Sequence, residues 1–67
     1  MTYGELVWRL RQRGIVDTGE GKRHEKWVDP ATGKWAMLPR HRKEIPTGTL
    51  QAILRQPGLT LDDLLTG

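Results

Sequence analysis

Cysteine is absent from this chain, which removes disulfides, thiolate zinc sites and iron–sulfur clusters together. A protein kept in a reducing compartment is expected to look this way, so a cytoplasmic location is the expectation. Long apolar runs are lacking as well. None approaches the roughly 20 residues that a membrane span requires. The first residues pass straight into a charged amphipathic pattern, which is not the form of a signal peptide. There is no internal repeat and no low-complexity tract. Histidine is scarce, with only His24 and His41. Together with Asp29 they follow no known ligand spacing, so no metal and no cofactor are expected.

Sixty-seven residues make one domain, residues 1–67, near the lower limit of what folds unaided. Without disulfides or a metal, a bound partner is the expected outside source of stability. What the chain does have is positive charge. Eleven Lys and Arg against eight Asp and Glu give a formal charge of +3. Ten of those eleven cations lie in the first 43 residues, all but Arg55. A basic body of this size suits a polyanion, most simply a nucleic acid, and equally fits an ordinary basic surface.

Thr2-Tyr3-Gly4-Glu5 has the form of a capping box. Tyr3, Leu6, Val7 and Leu10 follow at helical spacing, and Gly14 can close the helix, which is predicted over about residues 3–13. Trp8 falls about 140° off that stripe and is expected at its edge or in solvent. Ile15 to Thr18 reads as a first strand, Arg23 to Asp29 as a second and Lys34 to Leu38 as a third. Gly19-Glu20-Gly21 and Asp29-Pro30-Ala31-Thr32-Gly33 supply the turns between them. Short connections favour an antiparallel meander. After a charged connection, Thr47 or Thr49 is expected to cap a second helix carrying Leu50, Ile53 and Leu54, stopped by Pro57-Gly58. Thr60 is expected to cap a short last helix with Leu61, Leu64 and Leu65. The predicted class is α+β, in the order α-β-β-β-α, with the two main helices on one face of a three-stranded antiparallel sheet.

Strand alternation sorts the side chains. If Trp27 chooses the core side, His24 and Lys26 point to the open face. If Ala36 and Leu38 pack inward on the third strand, Trp35 and Met37 join His24 outside. An exposed tryptophan beside a histidine and lysines suits base stacking or a protein partner. The basic stretches Arg9–Arg13, Lys22–Lys26 and Arg40–Lys43 would form a phosphate footprint if they converged on one side. The other reading is three independently solvated charge runs.

Three motifs then carry a resemblance. They are Lys22-Arg23-His24, Pro39-Arg40-His41, and Pro46-Thr47-Gly48-Thr49-Leu50-Gln51-Ala52-Ile53-Leu54. Over residues 3 to 59 the chain resembles the HicA toxins, small ribonuclease partners of HicB antitoxins. The resemblance implies a double-stranded-RNA-binding-domain-like fold and an mRNA-cleaving toxin neutralised by a HicB-like antitoxin. It places the catalytic histidine on His24. The family's Gly-Ser before that histidine is replaced here by Lys22 and Arg23, and Gly and Ser differ from them in backbone freedom and hydroxyl chemistry.

Histidine can take or give a proton near neutrality, and Lys or Arg can stabilise a phosphorane. His24 is therefore the expected general acid or base. Lys22, Arg23, Lys26, Arg40, His41, Arg42 and Lys43 are the candidates for RNA contact. Trp8, Trp35 and Met37 are the candidates for antitoxin contact. Three functions stay open: an endoribonuclease toxin, a module that binds RNA without cutting it, and a protein whose role is to form a repressor complex with its antitoxin.

Overall fold

The computed structural model of the chain describes residues 1–21, 23–40 and 43–66. Its elements run α1 (Tyr3–Gln12), β1 (Val16–Asp17), β2 (His24–Val28), β3 (Trp35–Pro39), α2 (Thr47–Arg55) and α3 (Leu61–Thr66). The strands form one antiparallel sheet in the order β1-β2-β3. The class and element order are those expected from the sequence.

Helix α1 begins where the capping pattern puts it. The Thr2 hydroxyl accepts the Glu5 amide at 3.1 Å. The Glu5 carboxylate, however, takes Arg9 one turn on, at 3.1 Å, in place of the reciprocal capping bond. Gly14, at φ 82, closes the helix, with Ile15 donating back to the Leu10 carbonyl at 3.0 Å. Leu6 and Leu10 are fully buried, while Trp8, off the stripe, is 59% exposed.

The second helix corrects one expectation. Neither Thr47 nor Thr49 caps α2. Both lie in its first turn, the N-cap is Pro46, and no side chain bonds the free amides. Pro46 has the extended backbone an N-cap requires, so the helix starts on geometry alone. Its end follows the pattern, with Gly58 at φ 74 and Leu59 donating to Leu54 at 2.9 Å. Thr60 caps α3 in a reciprocal box with Asp63, each side chain accepting the other's amide at 3.0 Å. The Thr60 amide, then its hydroxyl, holds the Asp63 carboxyl below its ordinary range.

All three helices gather on one side of the sheet. Leu6, Leu10, Ile15, Trp27, Ala36, Leu38, Ile45, Leu50, Ile53, Leu54 and Leu64 make one core there. Trp27 is 2% exposed and is the largest member. Once its ring is committed, period-two alternation sends His24, Lys26 and Val28 to the opposite face. The N-terminus ties down the charged connection after β3. Tyr3 donates to the Lys43 carbonyl and Ile45 to the Met1 carbonyl, both at 2.9 Å.

Candidate functional site

The register of β2 against β3 fixes the open face. His24 lies opposite Pro39, Lys26 opposite Met37 and Val28 opposite Trp35. Val16 of β1 lies opposite Val28. One face therefore carries His24, Lys26, Trp35, Met37 and a small apolar strip, with Trp35 38% and Val16 49% exposed. The Lys26 ammonium sits 5.5 Å above the Trp35 ring, within cation–π range. It also lies 3.9 Å from a Glu20 carboxylate oxygen, so the turn before β2 places an acid among these cations.

His24 opens β2 in an exposed position. The turn that leads into it is closed by hydrogen bonds. The Asp17 carboxylate accepts the Gly19 amide at 2.9 Å, and the Thr18 hydroxyl accepts the Glu20 amide at 3.2 Å. Thr18 also donates through its hydroxyl to the Lys26 carbonyl at 3.0 Å. Gly21, at φ 95, brings the chain back against β2 so closely that a Cβ there would overlap the His24 carbonyl oxygen. Only glycine satisfies both the positive φ and the close approach. From the end of β3, Arg40 donates to the Gly21 carbonyl at 2.8 Å.

On the core side of the same strand end, Glu25 is held by two donors. The Tyr3 hydroxyl donates to it, as does the Trp27 indole at 3.3 Å. Burial, and next this bond to a carboxylate, push the Tyr3 hydroxyl up to about 12. α1 is thereby fastened to the residue that follows His24.

The expected site residues divide. His24, Lys26, Trp35 and Met37 share one face, and exposed Arg23 and Arg40 stand at its His24 end. Exposed Lys43 is anchored through Tyr3 to Glu25 on the other side of the strand. Lys22, His41 and Arg42 lie outside the described residues. Trp8 does not join this group. It sits in the helical layer, where it lines a cleft with Arg9, Gln12 and Leu64. Arg9, Arg11 and Arg13 have partners of their own. Arg9 and Arg13 donate to the Leu64 and Asp63 carbonyls at 3.4 and 3.1 Å, and Arg11 lies 5.6 Å over Trp27. Arg9 and Arg13 satisfy α3 carbonyls that its last turn leaves free.

Three contributors were not foreseen: Glu20, Gly21 and Glu25. The two glycines bracketing Glu20 were a usable signal, because paired glycines before a strand mark a turn that needs positive φ.

Arranged this way, the face presents an imidazole, adjacent cations and an aromatic ring side by side along one strand pair. Among curated proteins nothing matches the chain. A family model described as the HicA toxin of bacterial toxin–antitoxin systems matches residues 4–59.

Proposed function

The chain belongs to the HicA toxin family of bacterial toxin–antitoxin systems, and from that premise we propose that it is an endoribonuclease that cleaves mRNA without a metal. The observation that carries the reading is the exposed His24 at the head of β2, with Lys26 and Trp35 on the same face. RNA brings its own nucleophile. His24 takes the proton of a 2′-hydroxyl as its oxygen bonds to the adjacent phosphorus. The bond from phosphorus to the 5′-oxygen then breaks, and His24 returns the proton to that leaving oxygen. Arg23 and Lys26, with Lys22 before them, stabilise the charge of the phosphorane. Trp35 offers its ring to a flanking base. Arg42, His41 and Lys43 extend the contact along the RNA backbone.

The neutralising partner is a HicB-like antitoxin. Met37 and, further along the same face, Trp35 are its contacts, and antitoxin bound there excludes RNA. Trp8 is a second contact, with Leu65 the other large apolar residue exposed among the described residues of the helical layer, 59% and 49% exposed. Replacement of the family's Gly-Ser by Lys22-Arg23 supports a second reading, in which the protein grips RNA without cutting it.

Expression in a bacterial host tests the proposal. Wild type is expected to arrest growth, His24→Ala to permit it, and co-expression of the neighbouring reading frame to relieve the arrest. Salt-sensitive RNA binding by wild type without arrest or cleavage selects the second reading. Arrest that persists in His24→Ala removes the role assigned to His24.

A further inference from the structure

Sequence alone makes Arg40 one more cation for the RNA backbone, but its guanidinium is directed inward along the surface to the Gly21 carbonyl, at 2.8 Å. We propose that Arg40 is a positioning residue. It locks the turn of residues 17–21 onto the start of β2 and so sets where His24 and Arg23 stand.

Three observations converge on this turn. The first is the Arg40 bond itself, which joins the residue after β3 to the turn before β2, 19 positions away in sequence. The second is Gly21, whose φ of 95 and contact with the His24 carbonyl leave no room for a side chain. The third is the ladder, which sets His24 opposite Pro39. Counting from the Asp29 amide bond to the Lys34 carbonyl, the bonded pairs are Trp27–Ala36 and Glu25–Leu38, so His24 and Pro39 exchange no backbone bonds and the Pro39 nitrogen faces the free edge of β3. Arg40 supplies a cross-strand bond just beyond the last bonded pair. A guanidinium suits the task, since its donors form a fixed planar fork and it stays charged at every working pH.

The inference rests on the reading of His24 as the proton-transfer group, yet it can be tested apart from it. A residue that touches phosphate contributes to the salt dependence of binding, about 0.7 in the slope of log affinity against log salt for a single strand. A residue that positions another does not. In Arg40→Ala, the salt slope of binding to a short single-stranded RNA is expected to match wild type, while kcat for cleavage falls about fivefold to tenfold. Arg23→Ala, measured alongside, is expected to lower the slope. Backbone amide exchange across residues 19–23 is expected to accelerate several-fold in Arg40→Ala, and the exchange of the α1 and α2 cores to stay at wild-type rates.

A slope lowered by about 0.7, with unchanged kcat and unchanged exchange in the turn, would make Arg40 a phosphate contact and overturn the proposal. If wild type cleaves no RNA, the proposed function fails and exchange decides alone. Faster exchange confined to the turn supports the lock, and unchanged exchange removes it.

Discussion

Gly19 and Gly21 belong to one turn and share a positive φ, 77 and 95, but only Gly21 presses against β2. A Cβ at Gly19 meets nothing within 4 Å, whereas one at Gly21 overlaps the His24 carbonyl oxygen and lies 3.3 Å from its carbon. Alanine at either position carries the left-handed penalty of about 1–2 kcal/mol, partly offset by about 0.4–1 kcal/mol from a stiffer unfolded chain. Gly21→Ala adds the overlap, about 1–3 kcal/mol by analogy with overpacked sites. The total for Gly21→Ala is then about 1–4.5 kcal/mol, centred at about 3, against about 1 kcal/mol for Gly19→Ala. A domain of 67 residues has on the order of 3–10 kcal/mol in all. Moving the turn and the His24 backbone apart is therefore the cheaper response to Gly21→Ala than holding them in place. Urea unfolding followed by tryptophan fluorescence gives the stabilities, and the NMR shifts of the His24 ring and amide report its position. Gly19→Ala is expected to leave those shifts and RNA cleavage near wild type. Gly21→Ala is expected to move the shifts and slow cleavage at least tenfold. Equal stability losses and an unmoved His24 in both variants would refute the close-approach argument.

Two further outcomes follow from the polar groups around β2. The native Tyr3 hydroxyl titrates about 12, above its ordinary value of 10.0, so the protonated form is favoured by folding. Its contribution to stability is complete below pH 10 and is lost as pH rises through 12. Thermal melts between those limits should show wild type destabilising more steeply than Tyr3→Phe. Parallel curves would deny the Tyr3–Glu25 bond its role. Glu20→Gln removes the carboxylate 3.9 Å from the Lys26 ammonium. At about 1 kcal/mol for such a pair in water, RNA affinity should rise about fivefold at low salt and less at high salt. Titration of labelled RNA at two salt concentrations measures this, and an unchanged affinity at low salt would mean that the RNA does not reach Lys26.

The open face was legible because one ring decides it. Trp27 is too large to leave in water, and in a strand that choice also settles the direction of His24 and Lys26. Ala36 and Leu38 make the same decision on β3. The helix stripes and the Gly14 and Gly58 stops were legible for a similar reason, since each depends on spacing within a few residues. What could not be read depends on contacts between distant segments. The α1 arginines resemble a phosphate-binding run until α3 folds beneath them and takes up Arg9 and Arg13. Arg40 resembles another surface cation until Gly21 arrives beside it. Glu25 has no visible partner until α1 brings in the Tyr3 hydroxyl. The α2 cap failed for a different reason: Thr47 and Thr49 are both suitable residue types, but Pro46 already holds the extended backbone of the N-cap.

The central claim is that His24 moves the proton in a metal-free cleavage of RNA. It is tested most directly with purified wild type and His24→Ala acting on one RNA in the presence of a chelator, with binding measured on the same samples. Cleavage by wild type is expected to be undiminished by the chelator, the rate in His24→Ala to be at least about 100-fold lower, and RNA affinity to be similar for the two proteins. Equal cleavage by both proteins, or activity that disappears with the chelator, would contradict it.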